Sequence, residues 1–398
     1  MWFVGFIFHE IAFGLLSIFL PLYVTEKLGG SLTDFGFMMA LASFVGVPSS
    51  FFWGYTCDKT GRYRAFILLS FLALTCLLYL FTLTDALPIL VILYAVVAVF
   101  HTASEAPKNV LIAESYSRQD WEHGFASFEA FTELGTCTGL LLGLALTVFG
   151  FDGTFLLLIS AFLNLTALFL SFFFVEDPVL PFERGLVKIE KAIGTIQHGV
   201  YIASKALEGT FVKEKLAPES VSIFCLGLTL FSFATSVLFT PLPIFFSKTL
   251  QMPSNIVFGI FFLNSFGAFF GYTLSEGFNR KLENKTATVS VAVVRSILTV
   301  CLISIILTFS MFTLFLSVAV LALLGLTYAF FVISTISLSM ELIPQGKAGT
   351  YNALVGLGTV LGCFIGPFVA QQYGFIALFL SSSLLFASNF VVFKLFSR

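Results

Sequence analysis

Long apolar runs, separated by short clusters of glycine, proline and charge, occupy the whole chain. The breaks divide it into twelve segments near residues 2–24, 33–56, 65–83, 87–112, 123–149, 153–175, 219–247, 253–276, 287–309, 311–340, 347–372 and 374–396. Most hold about 20 residues or more, the length a helix needs to cross roughly 30 Å of hydrocarbon. In lipid the backbone polar groups must be satisfied internally, and continuous runs, unlike ten-residue alternating ones, select helices over a β-barrel. The expected fold class is an all-α integral membrane protein with twelve transmembrane helices.

Charge then orients the helices. Only 11% of the 398 residues are charged, and 58% are hydrophobic. Of the 20 Lys and Arg, Lys108 and Arg295 fall well inside predicted spans; Lys27 and Lys248 fall in loops on one side. The other sixteen, among them Lys59, Arg62, Arg64, Arg184, Arg280, Lys285 and Lys394, fall in the loops, span ends and tail of the other side. That bias predicts a multi-pass protein of the cytoplasmic membrane with both termini cytoplasmic. The one long polar segment lies in the middle of the series. It divides the chain into 1–175, a linker at 176–218 and 219–398, and the apolar period of Leu186, Ile189, Ile193, Ile196 and Val200 predicts an amphipathic helix on the membrane face.

The two parts repeat one another. Gly135, Gly139 and Gly143 in the fifth helix align with Gly358, Gly362 and Gly366 in the eleventh, and the same offset sets Phe128 on Tyr351 and Glu129 on Asn352. Small residues at every fourth position let helices approach closely. A further pattern is local: Gly54, Asp58, Lys59, Gly61, Arg62 and Arg64 punctuate the junction of the second and third helices. Their spacing resembles the loop that joins helices two and three in the major facilitator superfamily. The resemblance implies two pseudo-symmetric six-helix halves working by alternating access, with a substrate site near the midplane. It also implies a cytoplasmic latch in which Asp58 faces the start of the eleventh helix, at 346–351, where a carboxylate meets the positive end of the helix dipole. The glycine stripes are similar to the fifth-helix signature of the drug/proton antiporter branch, but the proline expected after Gly139 is missing and Pro367 follows Gly366 instead.

Ionisable groups inside the membrane cost about 2.5 to 3.5 kcal/mol each and call for a pairing or functional reason. Glu10, His101, Glu105, Lys108, Glu129 and Glu133 all lie in the first half. Two roles are open to them: Lys108 as a structural ion pair with Glu105 or Glu129, and Glu133, Glu10, Glu105, Glu129 and His101 as proton-coupling candidates. His9 fits a hydrogen bond within the core. Arg295, on the ninth helix, is expected to snorkel or to pair with Glu276. The second half offers neutral groups for a substrate cavity, Thr235, Ser236, Asn264, Tyr328 and Asn352, and the prolines Pro241 and Pro243 for a break in the seventh helix.

An excess of carboxylate in an apolar cavity points to proton-coupled efflux of cationic or neutral amphipathic compounds; the alternative is proton-coupled uptake of a neutral solute such as a sugar. The expected partners are a small-molecule substrate, protons and the lipid bilayer, with the protein a monomer. Nothing in the chain resembles a basic nucleic-acid-binding block, the six cysteines lack metal-ligand or redox spacing, and no cofactor is implied. An enzyme would need clustered ligands or a nucleophile with a base, and a channel a repeated filter; neither pattern occurs.

Overall fold

The computed structural model describes residues 2–116, 120–177, 221–282, 284–307, 311–342 and 349–396. These residues are helical almost throughout, in the order α1 (Val4–Leu22), α2 (Leu32–Thr60), α3 (Tyr63–Phe81), α4 (Leu87–Ser115), α5 (Trp121–Val148) and α6 (Gly153–Phe174). Then follow α7 (Val221–Phe239), α8 (Ser254–Leu282), α9 (Asn284–Leu307) and α10 (Met311–Leu342). The last run, Gly349–Phe396, is broken at Gly374 (φ 82, ψ 172) into α11 (349–373) and α12 (375–396). Only glycine adopts that backbone conformation at little cost. With this break the described residues hold the twelve predicted spans. The expected amphipathic linker helix lies outside them.

Helix 2 runs farther than the sequence pattern indicates. Its end at Thr60 places Gly54, Asp58 and Lys59 in its last turns, so the turn itself is only Gly61 and Arg62. Gly61, at φ 66, closes the helix with its N–H on the Cys57 carbonyl at 2.8 Å. Charged residues ended the apolar run before they ended the helix. Beyond the turn, Arg64 ties α3 to the end of α6: its guanidinium donates to the Phe172 carbonyl and lies 4.8 Å from that ring's centre. The Asp177 carboxylate accepts the Arg64 N–H at 2.7 Å, an anion at a helix N-terminus.

The glycine stripes are seams of close backbone approach. A Cβ at Gly139 would stand 2.1 Å from the Ile11 carbonyl oxygen, and one at Gly135 2.7 Å from that of Ile7, so α5 lies directly on α1. In the second half, a Cβ at Gly358 would stand 2.3 Å from the Thr229 oxygen and one at Gly366 2.4 Å from that of Val237, so α11 lies in the same way on α7. Gly143 departs from its counterpart and faces the ring of Phe258 on α8.

A second repeat emerges at the helix ends. Leu20-Pro21-Leu22-Tyr23-Val24-Thr25-Glu26-Lys27-Leu28 and Leu242-Pro243-Ile244-Phe245-Phe246-Ser247-Lys248-Thr249-Leu250 both finish in a π-helical turn, Tyr23–Lys27 and Phe245–Thr249. Proline lacks the N–H that an α-helical turn would use, which frees the following register to widen. The closing bonds match: Leu28 N–H to Tyr23 O and Leu250 N–H to Phe245 O, both 3.1 Å. Each turn is followed by a left-handed residue, Gly29 (φ 68) and Gln251 (φ 52).

The two π turns meet. Lys248 donates to the Thr25 carbonyl at 2.8 Å, and the Ser247 hydroxyl donates to the Glu26 carboxylate. Nearby, the Thr33 N–H donates to Gln371 at 2.9 Å, so α2 and α11 are also bonded at this end. Toward the opposite end, α5 and α10 are joined by Ser337 donating to Glu122 at 3.3 Å.

Candidate functional site

Helices 1, 4 and 5 bring five charged side chains together. Lys108 and Glu105 share one face of α4 and pair at 2.7 Å, with side chains 13% and 31% exposed. Glu10 from α1 and Glu129 from α5 both fall within the electrostatic reach of Lys108, so one cation serves three carboxylates. Lys108 also lies 5.5 Å from the centre of the Phe128 ring. Glu133, one turn beyond Glu129, is not among the carboxylates that act on this cation; its neighbours are Glu129 and the Ser265 hydroxyl of α8, across the interface between the halves. All of these groups are half-buried, which fits side chains around an internal space.

Two histidines stand behind the cluster. Asn164 donates its amide N–H to the Ser160 carbonyl at 3.0 Å, which leaves its oxygen to accept from His9 Nδ1 at 2.8 Å. That makes Nδ1 of His9 a proton-bearing nitrogen. His9 is 2% exposed, packed between Phe13, Phe71 and His101, with the two imidazole centres 5.2 Å apart. His101 in turn precedes Glu105 by one helical turn, inside its electrostatic reach.

The facing wall comes from α8, α10 and α11. Tyr272, Tyr328 and Tyr351 each lie within the electrostatic reach of Glu129, and the first two also of Glu133. Tyr351 is anchored to the Thr335 hydroxyl at 3.1 Å. Tyr328 is one of the cavity candidates taken from the sequence. Tyr272 and Tyr351 are not, because an aromatic residue in a chain with 53 Phe carries no positional signal.

The other cavity candidates have different surroundings. Asn264 donates its amide to the Leu321 carbonyl at 2.7 Å and pins α8 to α10. Ser236 packs its Cβ against Gly362 in the α7–α11 seam. Thr235 keeps a buried hydroxyl that finds no hydrogen-bond partner among the described residues, and Asn352 is exposed. Arg295 corrects its expectation: at 0% exposure it does not snorkel, and its guanidinium donates to the Leu324 carbonyl at 2.7 Å. The expected contacts of Asp58 with 346–351 and of Arg295 with Glu276 involve side chains outside those described.

No curated protein sequence matches the chain. Among solved structures it is similar in fold to the nucleoside transporter NupG, with a TM-score of 0.73 at 13% identity over 100% of this chain and 99% of that one. It is similar also to the human organic anion transporter MFSD10 (TM-score 0.67, 17% identity, 98% and 97% covered) and to a peptide transporter, POT (TM-score 0.70, 13% identity, 100% and 92% covered). Identities this low establish the fold alone. The family model described as Major Facilitator Superfamily matches residues 2–367, and the chain accordingly belongs to that superfamily of membrane transporters.

Proposed function

We propose that this transporter is a proton-coupled exporter of cationic or neutral amphipathic compounds across the cytoplasmic membrane, its two six-helix halves alternating access to a site between α1, α4, α5 and α8, α10, α11. The observation that carries this reading is the opposition of Glu129 and Glu133 on one wall to Tyr272, Tyr328 and Tyr351 on the other. Carboxylates attract an organic cation, and tyrosine rings bind its apolar body and its charge. Lys108 offsets only part of the negative charge. Glu133, with no cation at hydrogen-bonding distance among the described residues, is the carboxylate best placed to exchange a proton for substrate; Glu10 is the second.

In this reading the termini and the linker at 176–218 are cytoplasmic, on the charge bias of the loops. The paired π turns then close the outer end, Asp58 belongs to the cytoplasmic latch, and the protein acts as a monomer. A cysteine introduced into the linker and labelled from outside intact cells by an impermeant reagent would reverse that orientation.

The deciding experiment uses proteoliposomes holding the purified chain and an imposed pH gradient. Tetraphenylphosphonium should move against its own gradient, driven by opposite proton movement, and protons should be released when it is added. If instead a neutral sugar or nucleoside moves together with protons and tetraphenylphosphonium does not move, the protein is an uptake system and the proposed substrate class is wrong.

A further inference from the structure

Arg295 is a fully buried cation, and among the described residues no carboxylate pairs with it. Nη1 donates to the Leu324 carbonyl at 2.7 Å and lies 3.5 Å from the Thr327 hydroxyl, while Nε and Nη2 have no hydrogen-bond partner among the described residues. The ion pair found among those residues is Lys108 with Glu105, so no carboxylate neutralises Arg295 there. Aromatic rings surround it instead: the guanidinium carbon is 5.0 Å from the centre of Phe386, 5.1 Å from Phe231, 5.8 Å from Tyr328 and 5.9 Å from Phe239. These rings belong to α7, α10 and α12, so one side chain of α9 joins four helices.

Ring faces attract a cation, and a guanidinium stacks on them better than an ammonium does. They do not replace water and a counter-ion, and a buried charge left this way lowers stability relative to an apolar side chain of similar size. A residue that weakens the fold where it sits needs another reason to be there. Its neighbours supply one. Leu324, whose carbonyl it binds, precedes Tyr328 by one helical turn. Phe231, against the guanidinium, stacks on Phe331 and lies 6.5 Å from Tyr328 at an interplanar angle of 21°. Tyr328 is 39% exposed, and beyond it lie Glu129 and Glu133.

We infer that Arg295 is a positioning residue for the substrate site: it fixes the Tyr328 ring, through the α10 backbone and the Phe231 stack, in the orientation that faces the carboxylates. The inference rests on the reading that the substrate binds between Glu133 and Tyr328. Its role differs from that of a structural tie, which would raise stability, and from that of a substrate contact, which its complete burial prevents.

The test uses the full chain in detergent and in proteoliposomes, with tetraphenylphosphonium as the probe. Arg295→Met should keep or raise the thermal midpoint and weaken probe binding at least tenfold; Arg295→Lys should not restore binding, because an ammonium cannot lie flat against several rings. If the effect passes through Tyr328, Arg295→Met should add nothing in a Tyr328→Ala background. A lowered thermal midpoint with unchanged binding per folded molecule overturns the inference, and so do fully additive losses in the double variant. Should the wild type fail to bind the probe, the substrate reading fails by itself. The positioning role is then read from a Tyr328→Trp reporter, whose emission must shift when Arg295→Met is added; an unshifted emission overturns it.

Discussion

The Ser265 hydroxyl of α8 faces the Glu133 carboxylate of α5, so the candidate coupling group of the first half has its nearest polar neighbour in the second half. That proximity cannot persist unchanged if the halves rotate apart. A contact present in one arrangement of the halves and lost in the other links the surroundings of this carboxylate to conformation.

Glu133→Gln, which mimics the protonated form, is therefore expected to abolish transport driven by a pH gradient while leaving probe binding and gradient-independent exchange in place. Ser265→Ala should retain coupling with a changed rate. Both are measured as probe flux in proteoliposomes with and without the gradient. Full proton-driven flux in Glu133→Gln, together with its loss in Glu10→Gln, would move the coupling site to α1.

The Lys108 cluster gives a different expectation. Glu105 makes the direct 2.7 Å pair, so Glu105→Gln leaves a buried ammonium dependent on the more distant Glu129 and Glu10. Breaking a buried pair costs about 3 kcal/mol where no other charge stands near, and the remaining carboxylates should reduce that to about 1 to 2 kcal/mol. Thermal unfolding of the purified variants should rank Glu105→Gln below Glu129→Gln. An equal midpoint for both would mean that Lys108 is shared evenly.

Much of this architecture was legible in the residues. Apolar run length located twelve spans, and the repeated glycines of the fifth and eleventh helices marked seams in which a Cβ would strike backbone oxygen. The carboxylates stood out because charge is rare in the chain. What periodicity does not encode was harder to read. The partner of Asn264 is a carbonyl, which every residue carries, and the cage around Arg295 is made of rings that occur everywhere in the sequence. The π turns had a visible signal, the shared Leu-Pro segments at Leu20 and Leu242, but its meaning depends on two turns meeting in space.

The seams can be tested by adding one methyl group. Gly139→Ala would set Cβ 2.1 Å from the Ile11 carbonyl oxygen, a backbone atom that moves only with the helix, and overpacking of this kind costs about 2 to 3 kcal/mol. Gly54→Ala meets nothing nearer than the Ala106 methyl at 3.9 Å and should fold as the wild type does. Folded yield and thermal midpoint decide the matter. If both substitutions are equally tolerated, α1 and α5 are not in backbone contact.

The paired π turns carry the last expectation. Lys248→Ala removes the bond to the Thr25 carbonyl, and Ser247→Ala removes the donor to Glu26; each bond has one charged partner and contributes about 1 to 2 kcal/mol. Together they should shift a two-state equilibrium roughly tenfold or more toward the form open at this end. Phe149 and Tyr373, both more than 70% exposed, lie near this end on opposite halves, Tyr373 two residues past the Gln371 that holds Thr33. Spin labels on cysteines at these two positions should show a longer-distance population that grows in the double variant. Because the two turns are sequence repeats, each also has a mirror role: Thr25 presents a carbonyl and Glu26 a carboxylate, while Ser247 and Lys248 present donors. Lys248→Arg, which keeps both the charge and a donor, should retain the closed population that Lys248→Ala reduces. Distance distributions in which Lys248→Arg is as open as Lys248→Ala would show that the bond to the Thr25 carbonyl does not hold the turns together.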